Sequence, residues 1–195
     1  IQAACSGFLF SATTGAKFIE SGAYKNVIVV GADKMSSITD YTDRSTCILF
    51  GDAAGAILLQ ANDQGFGLQD SWMRVDGVGA EFLHMKGGGS KNPPTHETVD
   101  KKWHYLFQDG KPVFKAAVKG MAEAVNEILK RNNLSPDDIR FVVPHQANLR
   151  IIQAVADYLK FPMDRVMVNI QKYGNTTSAT IPLCLWEWED QLKPG

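Results

Sequence analysis

Apolar residues in the first sixty positions alternate between helical spacing and continuous runs. Residues 6–22 repeat apolar side chains at helical intervals, which predicts a helix, and Gly22 is suited to end it. The run 26–31 is continuously apolar, which is typical of a strand buried on both faces of a sheet. Residues 50–59 combine glycines with apolar side chains and predict a turn that leads into a second buried strand.

The pattern changes after the polar residues 62–65. We interpret them as a boundary between a first segment, 1–62, and a second segment, 63–195. Residues 67–76 alternate between apolar and polar side chains and predict a more exposed strand. The glycine- and proline-rich stretch 84–100 predicts a long surface loop.

The second segment also alternates helices with short apolar runs. Its patterns predict helices at 112–132, 148–160 and 178–192 and strands at 141–145 and 166–170. Helices that alternate with buried strands predict an α/β fold in which mixed sheets are covered by helices. In such folds, ligand sites are expected where strands end and helices begin.

Composition and charge exclude several broad classes of protein. Lysines and arginines number 20 against 21 acidic residues, so a general nucleic-acid binder is not expected. No stretch approaches the roughly 20 apolar residues of a membrane-spanning helix, and a membrane protein is therefore not expected. Three scattered cysteines suit neither a disulfide scaffold nor a paired-cysteine metal site. They favour a reducing, cytoplasmic location and no bound metal.

Three residues at predicted junctions, Cys5, His145 and Asn175, are candidates for chemistry. Cys5 opens the first predicted helix, where unpaired N–H groups and partial positive charge are expected to lower the thiol pKa. Each residue also has an ordinary structural interpretation: a buried thiol, a hydrogen-bonded histidine at a strand end, and an asparagine in a turn. Cys47 and Cys184 are interpreted as core thiols.

Four ordered motifs surround these candidates. The chain has ACSGF at residues 4–8, FGDAAGA at 50–56, VPHQAN at 143–148 and YGNTTS at 173–178. With these motifs the whole chain resembles the β-ketoacyl-acyl-carrier-protein synthase III family of thiolase-fold condensing enzymes. One departure is Ala54, where the family usually has glycine.

The resemblance implies a partial thiolase-like fold, layered α/β/α, and an acyltransferase activity. Cys5 would take an acyl group from an acyl-CoA primer such as acetyl-CoA. His145 and Asn175 would stabilise the enolate formed when malonyl-acyl carrier protein loses CO₂. The enolate would then attack the acyl-cysteine, which is the condensation that initiates type II fatty-acid synthesis.

The resemblance also implies which residues bind coenzyme A. Arg44 matches the arginine that packs on the adenine, because a guanidinium plane suits both stacking and phosphate pairing. Phe114, Ala147 and Asn148 match positions along the pantetheine tunnel.

Carrier-protein docking and the acyl pocket are implied in the same way. The residues that match the docking surface are Lys115, Gln146, Ala147, Asn148, Leu149 and Arg150. Exposed basic charge there would speed and orient encounter with an acidic carrier. Met35 and Phe50 match the wall of the acyl pocket, which discriminates chain length only weakly per methylene.

Three other functions are compatible with parts of this pattern. A cysteine protease also uses Cys, His and Asn in this chain order, but Cys5 lacks the local protease signatures. Another thiolase-superfamily condensing enzyme, acting in polyketide, quinolone or ketone formation, would keep the fold and change the substrate. A partial, non-catalytic binding module is the third alternative.

The resemblance carries expectations about the rest of the protein. We expect a fragment that lacks the family's N-terminal third and its C-terminal glycine-rich strand. We also expect a homodimer for the full-length protein, and partners limited to acyl-CoA and malonyl-acyl carrier protein. No cofactor is expected beyond the coenzyme A thioester that serves as substrate.

Overall fold

Two antiparallel pairs of strands form the sheets of the chain. The computed structural model describes residues 1–193. Its strands are β1 (Asn26–Asp33), β2 (Ala53–Gln60), β3 (Leu83–Met85) and β4 (Leu106–Gln108). β1 pairs with β2 along its whole length, and the short β3 pairs with β4. The predicted strand at 26–31 is confirmed, and the one predicted at 50–59 begins at Ala53.

Two isolated parallel bridges join segments that are distant in sequence. Phe50 bridges Asn175, and Val142 bridges Val166. Within residues 1–193 both sheets are antiparallel, and parallel pairing is limited to these isolated bridges.

Three of the predicted strands do not form as expected, and the one predicted at 141–145 is reduced to the single bridge at Val142. Residues 67–76 contain no strand, because this segment has no ladder partner among the described residues. The strand predicted at 166–170 is reduced to the single bridge at Val166, and a short helix follows it. Alternation of side chains at 67–76 and a short apolar run at 166–170 were therefore too weak as signals for a strand.

Six helices are present within residues 1–193. They are α1 (Gly7–Glu20), α2 (His96–Asp100), α3 (Gly110–Arg131), α4 (Leu149–Leu159), α5 (Ile170–Tyr173) and α6 (Thr180–Glu187). The helices predicted at 6–22, 112–132 and 148–160 are confirmed as α1, α3 and α4. No helix of the described chain combines the length and the apolar character needed to cross a membrane.

The ends of these helices follow local sequence signals. Gly22 lies just beyond α1 with a φ of 77°, the left-handed conformation that ends many helices. Asn148 caps α4, because its side-chain oxygen accepts a hydrogen bond from the N–H of Arg150 at 2.8 Å. The helix predicted at 178–192 is shorter than expected, since 3-10 turns flank α6 on both sides.

One hydrophobic cluster joins the three segments that carry the candidate chemistry. Phe8 of α1 and Ile181 of α6 are buried together, and Val143 packs against them. Phe8 lies three residues after Cys5 in the first turn of α1, and Val143 lies two residues before His145. Full burial of one such side chain contributes about 1.5–3 kcal/mol. Ordinary apolar packing therefore holds the three segments together.

A second cluster lies between α3 and α4. Its buried members are Ile151, Ile152, Val155, Ala156, Leu159, Phe161 and Val166. The apolar stripe of α3 packs against them, which is the face that its helical spacing predicted.

The sheet of β1 and β2 is covered on one face only. Helices α1 and α6 pack against that face, whereas Ile28, Val30 and Leu58 are 70%, 55% and 55% exposed on the other. The prediction that these strands are buried on both faces is therefore wrong for the chain as described.

Candidate active site

Cys5 lies in a tight turn immediately before α1. The 3-10 turn Ala4–Ser6 presents it, and Ala4 has a φ of 44°. Left-handed backbone at a residue other than glycine costs of the order of 1–3 kcal/mol, and it is found where surrounding packing enforces it. The Cys5 side chain is half-buried. The turn therefore holds the thiol in a fixed place at the start of the helix.

The pKa of the Cys5 thiol is raised, whereas the sequence predicted that it would be lowered. Burial and, to a lesser extent, the negative charge of Asp33 raise this pKa, a backbone hydrogen bond lowers it in part, and the net value is about 11. The expected effect of the helix start is thus outweighed, because removing a thiolate from water costs more than the helix end returns. At neutral pH Cys5 is a thiol, and its reaction requires a proton acceptor.

Asp33 ties the end of β1 to the turn that follows Asn175. One carboxylate oxygen accepts a hydrogen bond from the backbone N–H of Ser178 at 3.0 Å and another from the Ser178 hydroxyl. A Cβ placed on Gly7 would lie 3.7 Å from the Cβ of Ser178, so the turn also contacts the start of α1. Cys5 and the loop of Asn175 therefore lie side by side.

His145 is held by Thr180 at the start of α6. Its Nδ1 lies 2.7 Å from the Thr180 hydroxyl oxygen, and the Thr180 hydroxyl donates to the carbonyl oxygen of Thr177 at 2.9 Å. Burial lowers the pKa of His145 to about 4. The imidazole is therefore neutral at physiological pH, which suits a group that acts beside a forming carbanion.

Asn175 is fixed through both its backbone and its side chain. Its N–H donates to the carbonyl of Leu49 at 2.9 Å, and its carbonyl accepts from the N–H of Gly51 at 3.0 Å. Its side-chain oxygen accepts from the N–H of Thr177 at 2.9 Å, and Thr177 has a φ of 49°. Because the amide oxygen is already engaged, the NH₂ group is the part of this side chain that can serve a substrate oxygen.

Gln146 has a structural role that corrects its assignment to carrier docking. Its side chain is fully buried. The amide donates to the carbonyls of Pro144 and Met167, and its oxygen accepts from the N–H of Asn169 at 3.0 Å. A side chain without exposed surface cannot contact a partner protein. Gln146 instead braces the segment that carries His145.

Arg44 lies exposed on a loop that an ion pair anchors. Asp40 of this loop accepts a hydrogen bond from the ammonium of Lys102 at 2.8 Å and others from the N–H and hydroxyl of Thr42. The hydrogen bond from Lys102 and those from Thr42 lower the pKa of Asp40 to about 2. The contact joins the loop to the segment after α2.

The remaining residues predicted to bind partners divide by their exposure. Lys115, Leu149 and Arg150 are exposed, whereas Phe114 and Ala147 are half-buried against the α3–α4 cluster. Lys115, Leu149 and Arg150 must be exposed if they are to contact a carrier protein. Their roles stay predictions.

Met35 and Phe50 lie near the ends of the sheet segments. Met35 is 7% exposed and opens a 3-10 turn directly after β1. Phe50 is half-buried and bridges Asn175, which places it next to the candidate amide donor. Their assignment to the wall of an acyl pocket stays a prediction.

Three residues of this site were missed by sequence reasoning. Asp33 and Thr180 acquire their contacts only through tertiary structure, because each bonds a residue far away in the sequence. Thr177 bonds Asn175, two residues before it, within a local turn. A polar residue directly after a predicted strand was the one available signal, and it applies to Asp33 alone.

The arrangement offers a nucleophile, a neutral imidazole and an amide donor. Within residues 1–193, no group of three or more metal-ligating side chains lies together. A thiol can carry an acyl group as a thioester, and an amide N–H can stabilise an oxyanion. Acyl transfer followed by chemistry through an enolate is therefore within the reach of these groups.

Comparison with protein families matches two parts of the chain. Residues 1–77 match the family described as 3-oxoacyl-[acyl-carrier-protein (ACP)] synthase III. Residues 129–195 match the family described as the C-terminal part of 3-oxoacyl-[acyl-carrier-protein (ACP)] synthase III.

Individual relatives agree with the family matches. The chain is 55% identical over its whole length to a β-ketoacyl-[acyl-carrier-protein] synthase III of Porphyromonas gingivalis and covers 58% of it. It is 57% identical to the protein of that name in Koribacter versatilis, covering 60%. The crystal structure of 3-oxoacyl-[acyl-carrier-protein] synthase III from Aquifex aeolicus superimposes with a TM-score of 0.88 at 40% identity over 99% of this chain and 58% of that one. The chain thus spans a little under two thirds of the length of these relatives, and the similarity shows the expected thiolase-like α/β fold.

Proposed function

We propose, since the chain belongs to the 3-oxoacyl-[acyl-carrier-protein] synthase III family, that it supplies the catalytic residues of a β-ketoacyl-acyl-carrier-protein synthase III. The enzyme joins an acyl-CoA primer to malonyl-acyl carrier protein and so initiates fatty-acid synthesis. The observation that carries the proposal is the convergence of the Cys5 turn, His145 and the loop of Asn175 on one hydrophobic cluster and one turn.

The first half-reaction transfers the acyl group to Cys5. The Cys5 sulfur forms a bond to the thioester carbon, and the bond from that carbon to the CoA sulfur breaks. The thiol proton passes to a base and then to the departing CoA sulfur. A neutral His145 suits this base, because the Cys5 thiol is protonated at neutral pH.

The second half-reaction uses Asn175 and His145 as hydrogen-bond donors. Loss of CO₂ from malonyl-acyl carrier protein leaves an enolate, whose oxygen the NH₂ group of Asn175 and an N–H of His145 stabilise. The enolate carbon then bonds to the acyl carbonyl carbon, and the bond from that carbon to the Cys5 sulfur breaks. The Cys5 sulfur leaves as a thiolate and takes a proton from water, and 3-oxoacyl-acyl carrier protein leaves.

Binding residues are proposed from the family resemblance and supported by exposure. Arg44 contacts the adenine end of coenzyme A, and Phe114, Ala147 and Asn148 contact its pantetheine arm. Lys115, Leu149 and Arg150 meet the acidic carrier protein, with the backbone of 147–148 beside them. Met35 and Phe50 wall the acyl pocket.

The setting of the protein belongs to the same proposal. It acts in the cytoplasm as a homodimer, and it needs no cofactor besides its thioester substrates. Residues 1–62 complete the N-terminal thiolase-like half, and residues 63–195 supply most of the C-terminal half.

The test uses the full-length protein and separates the two half-reactions. After incubation with acetyl-CoA, mass spectrometry is expected to find one acetyl adduct on the wild type and on Cys47→Ser, the matched control, and none on Cys5→Ser. Asn175→Ala is expected to acylate normally but to release CO₂ from malonyl-acyl carrier protein about 100-fold more slowly. An adduct that survives in Cys5→Ser would falsify the assignment of the nucleophile.

A panel of primers decides among condensing enzymes. Turnover with short acyl-CoA primers and malonyl-acyl carrier protein is the expected result. Turnover that requires long acyl chains or another extender would instead assign the chain to ketone or polyketide formation.

A further inference from the structure

A continuous chain of hydrogen bonds runs from His145 to Asn175. The Nδ1 atom of His145 lies 2.7 Å from the hydroxyl oxygen of Thr180. That hydroxyl donates to the carbonyl of Thr177 at 2.9 Å, and the N–H of Thr177 donates to the side-chain oxygen of Asn175 at 2.9 Å. Thr180 is 2% exposed, so water has little access to compete for its hydroxyl. One residue, Thr177, therefore connects both candidate donors.

The direction of each bond follows from what the partners can do. A carbonyl oxygen accepts only, so the single hydroxyl proton of Thr180 is committed to Thr177. The hydrogen between Thr180 and His145 must then come from Nδ1 of the imidazole. A neutral imidazole carries one proton, and its Nε2 atom is therefore unprotonated.

We propose that Thr180 is a positioning residue that holds His145 as the Nδ1–H tautomer in the resting protein, with Nε2 left as a proton acceptor. The use of this tautomer in catalysis rests on the proposed function. The tautomer itself follows from the hydrogen bonds described above.

This tautomer suits the acylation step. Nε2 can take the proton from the Cys5 sulfur as that sulfur bonds to the acyl carbon, and then release it to the CoA sulfur as the old thioester breaks. The imidazole ends the step neutral, and no further reactant is needed.

The donor role expected of His145 in the second half-reaction requires the opposite tautomer. Rotation of the Thr180 hydroxyl would reverse its bond, so that it donates to Nδ1 and releases the carbonyl of Thr177. Nε2 could then carry the proton and donate to the enolate. A hydroxyl supports both arrangements, because it can donate and accept.

The first measurement uses the wild-type full-length protein labelled with ¹⁵N-histidine. Nitrogen chemical shifts distinguish a protonated from an unprotonated ring nitrogen, and the His145 signals are identified by their loss in His145→Gln. The proposal expects protonated Nδ1 and unprotonated Nε2 at pH 7. Protonated Nε2 in the resting wild type overturns it.

Three variants then test the role of the hydroxyl. Thr180→Val removes it at nearly constant shape, whereas Thr180→Ser keeps it. Thr176→Val is the matched control, because Thr176 is equally buried and its hydroxyl has no partner among the described residues. In Thr180→Val, the His145 nitrogen shifts are expected to show a mixture of tautomers instead of Nδ1–H alone. Acylation of Cys5 from acetyl-CoA is expected to be about tenfold slower. Thr180→Ser and Thr176→Val are expected to match the wild type in both.

The outcomes separate this proposal from the function on which it rests. If the wild-type protein makes no 3-oxoacyl product, the proposed function is overturned. The tautomer of His145 can still be measured in that case. A Thr180→Val protein that keeps both the Nδ1–H signature and the wild-type acylation rate overturns the positioning role. A slowed reaction that serine does not rescue overturns it as well.

Discussion

The carbonyl oxygen of Ser178 occupies the place where Gly31 would carry a side chain. A Cβ on Gly31 would lie 2.4 Å from this oxygen and 2.8 Å from the carbonyl carbon. The contact is between two backbones, so no flexible side chain can move aside to relieve it. Strand β1 and the turn after Asn175 therefore meet closely only because position 31 is glycine.

Gly31→Ala is expected to separate the strand from this turn. The added methyl group should lower the free energy of unfolding by about 1–3 kcal/mol, as overpacking does in well-packed interiors. It should also slow acylation of Cys5, because the turn contacts the start of α1. Urea unfolding and the rate of acetyl transfer, measured on the full-length protein, check both effects.

Gly120→Ala is the control for that change. Gly120 lies within α3, where a Cβ would meet no atom within 4 Å. The substitution should raise the free energy of unfolding by about 0.5–1 kcal/mol and leave acylation unchanged. Equal destabilisation at both positions would contradict the close contact at Gly31.

Asp33→Asn is expected to make Cys5 more reactive in the absence of substrate. The Asp33 charge is the second cause, after burial, of the raised thiol pKa. Removing it should lower that pKa while burial keeps it above the ordinary value, so alkylation by iodoacetamide at pH 9 should rise about threefold. Asp63→Asn, at the far end of the sheet, should have no effect, and an unchanged rate in Asp33→Asn would exclude the electrostatic explanation.

The neutral state of His145 should appear in the pH dependence of stability. Its folded pKa of about 4 lies below the ordinary 6.5, so the unfolded chain binds the proton more readily between these values. The free energy of unfolding should therefore fall as the pH drops from 6.5 to 4. The part due to this residue is at most about 3 kcal/mol.

His145→Gln isolates that contribution. The stability of this variant relative to the wild type should improve as the pH falls from 6.5 to 4, and it should be constant above 6.5. His96→Gln replaces an exposed histidine and should follow the wild type throughout. Parallel curves for wild type and His145→Gln would show that His145 is not held neutral by burial.

Asp40→Asn should weaken the binding of coenzyme A thioesters. The change removes the anchor between the Arg44 loop and Lys102, so the KM for acetyl-CoA should rise several-fold with little change in kcat. Glu97→Gln removes the exposed pair with Lys101 and serves as control. A lower kcat with unchanged KM would place the effect in the chemical step rather than in the loop.

Local signals predicted the helices of this chain well. The apolar spacing of 6–22 and the glycine after it gave α1 within two residues, because helix spacing and end signals are both short-range. The strand at 67–76 failed for the opposite reason. Whether a strand forms depends on a neighbour elsewhere in the chain, and alternation does not identify that neighbour.

In the candidate site too, features set by neighbouring residues were predicted and contacts between distant residues were not. Motif residues indicated Cys5, His145 and Asn175, but the bond from His145 to Thr180 and the bond from Ser178 to Asp33 join positions that no local pattern relates. The predicted direction of the Cys5 pKa shift was wrong, because the sequence reveals the helix start but not the burial of the thiol. Gln146 was misassigned because a buried and an exposed glutamine look alike in a motif.

Peptide groups, rather than side chains, tie Asn175 to residues 49–51. These bonds hold the backbone of Asn175 without any hydrogen bond from the side chain at position 50. If the proposed function holds, a change of side chain at position 50 is expected to alter the accepted primer length while Asn175 keeps its place.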